Sequence, residues 1–328
     1  MRLDSVSVIG GGAWGTALAQ AAAMAGRAVS LVLRDRQQVD EINTQHTNSR
    51  YLDAQRLKPE IVATNTPMPA DIIILAVPAQ ATRTALGAID AALLAGRPVI
   101  LSAKGLETGT LARQSEILRD MAPHAIPFVL SGPSFAADVA AGRPTAVTLA
   151  GDDAEQTSAL AAALAGPSFR PYAADDRIGV EIAGALKNVY ALACGAVDGA
   201  GLGASARSAL LARGYAEMAR LVTAMGGSAT TLTGLAGLGD LTLTCTSVQS
   251  RNYQFGMALG RGETVDAIMA GGAKLAEGVA TTPVADALAK SLGVEAPLIE
   301  AMHDVLRQSA DIATIVAGLM SRPLKRED

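Results

Sequence analysis

Residues 8–15 read V-I-G-G-G-A-W-G and follow an apolar run that begins almost at the N-terminus, residues 3–9. Gly10, Gly12 and Gly15 fit the G-x-G-x-x-G spacing, with a strand before them and a helix over 14–25 after them. In such a strand–turn–helix, the first glycine permits the tight turn and the second lets the backbone approach a pyrophosphate. The third lets helix and strand pack closely. The free N–H groups at the helix start and its dipole favour negative charge. A glycine-rich turn with no ligand fits the same letters. The flanking elements favour the dinucleotide reading, as does a second strand, 29–33, ending where a ribose-reading residue belongs.

The chain has 328 residues, room for two domains or one large one. Half of its residues are hydrophobic and only 3% aromatic, so its core must be mostly Ala, Leu, Val and Ile. Alanine abundance favours helices. A net charge of −4 offers no basic field for a nucleic acid backbone. Cys194 and Cys245 form no metal-type cluster and read as small buried residues, so no metal site is expected. The chain opens on its first strand without a charged-then-apolar leader. The apolar runs are short, residues 71–77 among them, and fit buried strands rather than a bilayer span. The expectation is a soluble cytoplasmic protein without membrane insertion.

Working outward from the glycine turn, strand-type runs occur at 6–9, 29–33, 61–64, 72–77, 99–102 and 128–131. Helical stretches lie between them at 14–25, 37–43, 80–94 and 111–121. This alternation predicts an α/β fold, a Rossmann-type and mostly parallel sheet with helices on both faces. Residues 145–150, a helix over 154–165 and residues 169–172 extend it. After about Asp176 the texture changes. Residues 180–196, 205–225, 252–261, 265–270, 282–292, 297–306 and 312–320 read as helices joined by glycine-rich segments. The expected organisation is a dinucleotide-binding domain over 1–176 and an all-helical substrate-binding and catalytic domain over 177–328. The substrate would sit between them, where clefts form. The tail 325–328 reads as a solvated end.

The second strand is followed by Arg34-Asp35-Arg36. An acid here accepts from a ribose 2′-OH and favours NAD, whereas arginine pairs with a 2′-phosphate and favours NADP. Two arginines beside one acid tilt the reading towards NADPH without excluding NAD. Surface charge is the alternative for all three.

Four further segments set polar groups among apolar ones. Lys104 follows a strand at the carboxyl edge of the sheet, where ligands bind, although a surface lysine fits as well. In S-G-P-S-F-A, 131–136, Ser134 addresses a polar ligand or caps a helix. Lys187 lies inside an apolar helix with Ala183, Gly184, Tyr190 and Ala191 on its face. Its amine needs a partner there, or it snorkels to water. Asp240, in a glycine-rich loop, orients Lys187 or caps a turn. Ser250-Arg251-Asn252 suits phosphate recognition, or marks a helix start. His46, His124 and His303 have no acid spaced to orient them, so lysine is the better acid–base candidate.

Together these segments resemble the bacterial NAD(P)-dependent glycerol-3-phosphate dehydrogenases over essentially the whole chain. The resemblance rests on G-G-G-A-W-G-T-A (10–17), H-x-N-x-R-Y-L (46–52), A-K-G-L-E (103–107) and S-G-P-S-F-A (131–136). It continues through A-L-K-N-V (185–189), G-L-G-D-L (237–241), S-R-N (250–252) and E-G-V-x-T-T (277–282). It implies that Lys187 is the catalytic lysine. It implies further that Lys104, Gly132, Ser134, Lys187, Asp240, Ser250, Arg251 and Asn252 hold glycerol phosphate. Gly10, Gly12, Ala13, Trp14, Gly15, Arg34, Asp35, Tyr51, Lys104, Ala136, Arg251, Leu275 and Glu277 are the corresponding cofactor positions. Ala13 stands where a serine is common, Val32 where tryptophan is frequent, and Asp35 where the family often has another residue. These departures blur the choice between NAD and NADP. The resemblance implies a soluble homodimer making sn-glycerol 3-phosphate for phospholipid synthesis. A dehydrogenase of the same plan acting on a carboxylate, such as a β-hydroxyacid or ketopantoate, is one alternative. A non-enzymatic dinucleotide sensor is another.

Overall fold

The computed structural model describes residues 3–272, 276–307 and 312–321. Eight strands form one sheet in the order β3-β2-β1-β4-β5-β6-β7-β8. They are β1 (Ser5–Ile9), β2 (Ala28–Val32), β3 (Ile61–Thr64), β4 (Ile72–Leu75), β5 (Pro98–Leu101), β6 (Ile126–Ser131), β7 (Thr145–Gly151) and β8 (Phe169–Ala174). The first six run parallel; β7 meets β6 antiparallel and pairs in parallel with β8. The central strands β4 (I-I-I-L) and β5 (P-V-I-L) are buried at every position. Strands covered on both faces lose the apolar–polar alternation, which is why they read as continuous apolar runs.

Helices α1 (Ala13–Met24), α2 (Arg36–Gln45), α3 (Ser49–Leu52), α4 (Thr82–Gly87), α5 (Ala91–Leu94), α6 (Gln114–Met121), α7 (Ala136–Ala140) and α8 (Ala154–Leu164) accompany the sheet. The expected single helix over 80–94 is broken. A 3₁₀ turn, Ala79–Ala81, precedes α4, and Asp90 starts α5 afresh by accepting from the Ala92 N–H at 3.0 Å. The helix expected from residue 111 starts at Gln114, because Leu111 has φ +62° and the Arg113 N–H bonds Glu116 Oε2.

After the last strand come α9 (Arg177–Gly199), α10 (Gly203–Ala224), α11 (Asp240–Thr246), α12 (Arg251–Gly260), α13 (Val265–Ala270), α14 (Glu277–Ser291), α15 (Pro297–Leu306) and α16 (Ile312–Met320). Helix α14 begins at Glu277 rather than 282, carrying Pro283 in its interior instead of its first turn. A proline near a helix start is the commoner arrangement. The expected tail 325–328 lies outside the described residues.

Helix α9 is the axis of this half and is about 35 Å long. It is buried all round because it is wrapped by α10, α11, α12 and α14, and it is apolar except at a few positions such as Glu181, Lys187 and Asn188. Its length and hydropathy match those of a membrane span, a match the short apolar runs did not suggest, but that stretch is wholly buried inside the protein. Helix α12 packs against α9 backbone to backbone. A Cβ on Gly195 would lie 2.1 Å from Tyr253 O, and one on Gly256 would lie 2.1 Å from Leu192 O. Two glycine-lined faces let the axes approach and so fix the height of the α12 N-terminus along α9. Cys194 and Cys245 are buried free thiols in the same core, as expected.

Candidate active site

The glycine turn joins β1 to α1. Gly10 has φ +116°, and a Cβ there would lie 2.6 Å from Ala76 O. A Cβ on Gly15 would lie 1.8 Å from Gly10 O, so helix and turn touch. Around Gly12 the situation reverses: a Cβ would meet nothing within 4 Å. Gly12 is also the N-cap of α1 and supplies no side-chain cap, which leaves the first N–H groups of the helix for another acceptor. Tight packing at two glycines and open space at the third, over an uncapped helix start, fit a pyrophosphate. Ala13 and Trp14 form the first turn of α1, and Ala136 opens α7, which packs on α1.

At the end of β2, Arg34 is exposed. Asp35 is occupied: its Oδ1 accepts from the Gln37 N–H at 2.9 Å as the N-cap of α2, and its Oδ2 lies 3.3 Å from Arg50 Nη1. The Arg50 guanidinium also lies 5.6 Å from the Tyr51 ring centroid. Leu275 lies outside the described residues.

The second half of the site is a cluster of charge around one carboxylate. Asp240 is 1% exposed. Its Oδ1 accepts from Lys187 Nζ and its Oδ2 from Lys104 Nζ, each at 2.7 Å. Lys187 Nζ donates a second bond to Thr244 Oγ1 at 2.8 Å, and Lys104 Nζ a second to Gly132 O at 3.1 Å. Three pieces of chain deliver these groups. Lys104 follows β5, Lys187 comes from the middle of α9, and Asp240 opens α11 after a π-type turn, Leu235–Gly239, closed by Gly239 N–H to Gly234 O at 3.2 Å. Such turns recur at functional sites.

The electrostatics follow from burial. Desolvation lowers the Lys187 pKa from 10.5 to about 8, against the Asp240 charge that raises it, and the Lys104 charge lowers it further. Burial by itself would raise the Asp240 carboxyl, but the two ammoniums outweigh it and hold it below its usual range. Lys187 is therefore a paired buried amine; it does not snorkel to water.

The S-R-N segment opens α12. Ser250 is its N-cap, accepting from the Tyr253 N–H at 3.2 Å. Asn252 donates to Asn188 Oδ1 at 2.9 Å and accepts from the Gly278 N–H at 2.8 Å. Arg251 between them is exposed and makes no hydrogen bond or ion pair among the described residues. Glu277 opens α14; burial raises its carboxyl above the usual value, against the charges of Arg251, Lys187 and Lys104. Ser134 caps no helix and donates to Gly132 O at 2.9 Å.

Three residues beyond the expected set serve the site, two in this network and one at the glycine turn. Thr244 holds Lys187 and lies one turn from Asp240, on the same helix face. Asn188 donates to Lys104 O at 3.0 Å and so ties α9 to the loop after β5. Asn48 reaches the glycine turn from α3, donating to Gly11 O at 3.0 Å. Asn188 was within reach of sequence reading, since it stands in the A-L-K-N-V motif itself.

Known proteins line up with both halves. Residues 5–157 match the N-terminal model, and 176–317 the C-terminal model, of NAD-dependent glycerol-3-phosphate dehydrogenase. A glycerol-3-phosphate dehydrogenase [NAD(P)+] of Hyphomonas neptunium is 49% identical over 329 residues, 99% of this chain and 98% of that one. One from Caulobacter vibrioides is 48% identical over the full length of both chains. The crystal structure of glycerol-3-phosphate dehydrogenase from Coxiella burnetii superposes with a TM-score of 0.89 at 37% identity, covering 98% of this chain and 99% of that one. With a sheet that fits a dinucleotide, a buried lysine–aspartate–lysine cluster beside it and these matches across both halves, the chain belongs to the NAD(P)-dependent glycerol-3-phosphate dehydrogenase family.

Proposed function

We propose that this chain interconverts dihydroxyacetone phosphate and sn-glycerol 3-phosphate in the seam between its sheet domain, 1–176, and its helical domain, 177–328. The observation that carries the reading is the sharing of Asp240 by Lys187 and Lys104. Two ammoniums against one carboxylate leave an excess of positive charge, which suits an oxygen becoming anionic.

Gly10, Gly12, Ala13, Trp14, Gly15 and Ala136 would hold the cofactor phosphates and flanks, with Arg34 and Tyr51 towards the adenosine. When bound, the nicotinamide supplies the hydride to C2 in reduction and takes it in oxidation. Arg251 binds the substrate phosphate, with Ser250 and Asn252 fixing its helix turn and Gly132 and Ser134 lining the opposite wall. As the C2 carbonyl is reduced, negative charge develops on its oxygen. Lys187 stabilises that charge and gives a proton from Nζ, leaving a neutral amine. In oxidation, neutral Lys187 takes the hydroxyl proton. Asp240 and Thr244 hold the amine in place, and Lys104 lowers its pKa towards the working range.

NADPH is read as the favoured cofactor, with NADH also accepted. What supports this is that both Asp35 oxygens are engaged, while Arg34 and Arg36 on either side of it are exposed, Arg34 coming first after the strand. From the resemblance, the assembly is read as a cytoplasmic homodimer supplying glycerophospholipid synthesis; light scattering on the purified protein checks the dimer. The test of function is steady-state oxidation of NADH and NADPH with dihydroxyacetone phosphate, a β-ketoacid and ketopantoate. Turnover with the phosphorylated ketone alone is expected. Turnover with a carboxylate alone would overturn the reading.

A further inference from the structure

Asn48 is buried completely, in a polar stretch of sequence whose neighbours are half-buried or exposed. It stands at the N-cap of α3, where an asparagine ordinarily accepts from the next N–H groups. Here it does not. Glu41 serves in its stead, accepting from the Ser49 N–H at 2.7 Å and from Thr47 Oγ1 at 2.8 Å. The Asn48 carboxamide is thereby released to the protein interior. Its Nδ2 donates to Gly11 O at 3.0 Å and to Thr16 Oγ1 at 2.8 Å, and its Oδ1 accepts from Gln38 Nε2 at 3.1 Å. Both amide hydrogens are spent, and Gln38 fixes which end of the amide faces the turn.

The consequence follows from peptide planarity. Gly11 C=O and Gly12 N–H belong to one trans peptide unit, so they point in opposite directions. Pinning the carbonyl inward turns the N–H the other way; it has no partner among the described residues, and a Cβ on Gly12 would meet nothing within 4 Å. We propose that Asn48 is a positioning residue for the dinucleotide: through the Gly11 carbonyl it aims the Gly12 N–H at the pyrophosphate. Gln38 acts one step behind it. This inference rests on the dinucleotide reading of the turn and adds a side chain that never touches the cofactor.

Trp14 is the only tryptophan and follows the turn directly, so its fluorescence reports cofactor binding without turnover. Without Asn48, Gly11 O keeps only the longer bond from Thr16 Oγ1 at 3.5 Å, so titrations with NADH and NADPH should give Asn48→Ala a Kd raised about tenfold, the effect of losing the shorter hydrogen bond that aims the turn. kcat at saturating cofactor and KM for dihydroxyacetone phosphate should stay near the unsubstituted values. Asn48→Asp, the same shape without hydrogens to donate and with a negative charge beside a pyrophosphate, should be weaker still. Gln38→Ala should move Kd in the same direction by less. A folded Asn48→Ala protein with Kd within about twofold of the unsubstituted one overturns the proposal. So does a fall in kcat with Kd unchanged. If the alanine variant does not fold, Asn48→Ser is judged by the same limits. Absence of quenching in the unsubstituted protein would overturn the dinucleotide reading itself. Normal binding there and in the Asn48 variants overturns only the role of Asn48.

Discussion

Lys187 Nζ lies 2.7 Å from Asp240 Oδ1, although the two residues sit 53 positions apart and on different helices. The other carboxylate oxygen belongs to Lys104. A single buried acid thus sets the position of one amine and the field around it. Removing that amine should stop chemistry while leaving the site standing, because Lys104 still neutralises Asp240. Lys187→Met is expected to lower kcat by about 10²–10⁴-fold, the usual loss for a general acid–base group. Cofactor affinity and the unfolding midpoint should change little. Stopped-flow turnover and fluorescence titration on the same preparation check both halves of the expectation.

The same pair sets a pH profile. Lys187 has its pKa lowered to about 8, so its neutral form, the base for alcohol oxidation, is scarce at pH 6 and dominant at pH 10. kcat/KM for sn-glycerol 3-phosphate should rise with pH and level off above about 8. Ketone reduction needs the ammonium and should fall through the same range. Asp240 raises this pKa, so Asp240→Asn should move both limbs to lower pH. It also leaves the buried Lys187 ammonium facing the half-buried Lys104 ammonium without their shared carboxylate, at a cost of about 3–5 kcal/mol in stability. A profile that is unchanged in Asp240→Asn would mean that another group titrates.

Arg251 makes no hydrogen bond or ion pair among the described residues and acts on Glu277 only through its charge, while its neighbours Ser250 and Asn252 are fixed by an N-cap and by Asn188 and Gly278. The turn is held and the guanidinium donors are open, which is how a waiting anion site is built. Arg251→Ala should lower kcat/KM for dihydroxyacetone phosphate by about 10–100-fold, mostly through KM, as expected for losing charged hydrogen bonds. Added inorganic phosphate should inhibit the unsubstituted protein more than the variant.

Much of this arrangement was legible because its signals are local. The glycine turn, the strands of 61–64 and 145–150 and the lysine inside an apolar helix each announce themselves within a few residues. What stayed hidden depends on distant partners. Asn48 stands in the H-x-N-x-R-Y-L motif, but what it holds appears only when Gly11, 37 positions away, is seen beside it. No helix is expected around Thr244 from the sequence, and its place beside Lys187 appears only once α11 is seen to start at Asp240; G-L-A-G-L-G reads as a loop and is a π-type turn leading into it. Asp35 carries both possibilities in the sequence, and its engagement by Gln37 and Arg50 appears only in three dimensions.

The position of Arg251 is also a packing problem, and this gives a prediction far from the chemistry. Helix α12 carries Arg251 at its first residue and rests on α9 through Gly256 and Gly260, with Gly195 and Gly199 opposite. A methyl group on Gly256 would lie 2.1 Å from Leu192 O, and backbone cannot move aside as a flexible side chain can. The helices must separate. Gly256→Ala is therefore expected to cost about 1–3 kcal/mol in urea unfolding, although alanine is the better helix former. Separation also lifts the N-terminus of α12 away from Asn188, the residue that ties it to the Lys104 loop. KM for dihydroxyacetone phosphate should rise even in the fraction that remains folded, and by more than the cofactor Kd, since of the cofactor positions α12 carries only Arg251. Ala258 on the same helix is buried in the hydrophobic core, and Ala258→Gly removes a methyl group instead of adding one, so it should lower stability without the change in KM. Equal effects of the two substitutions on KM would show that α12 is not set by glycine contact and that Arg251 takes its position from the loop before it.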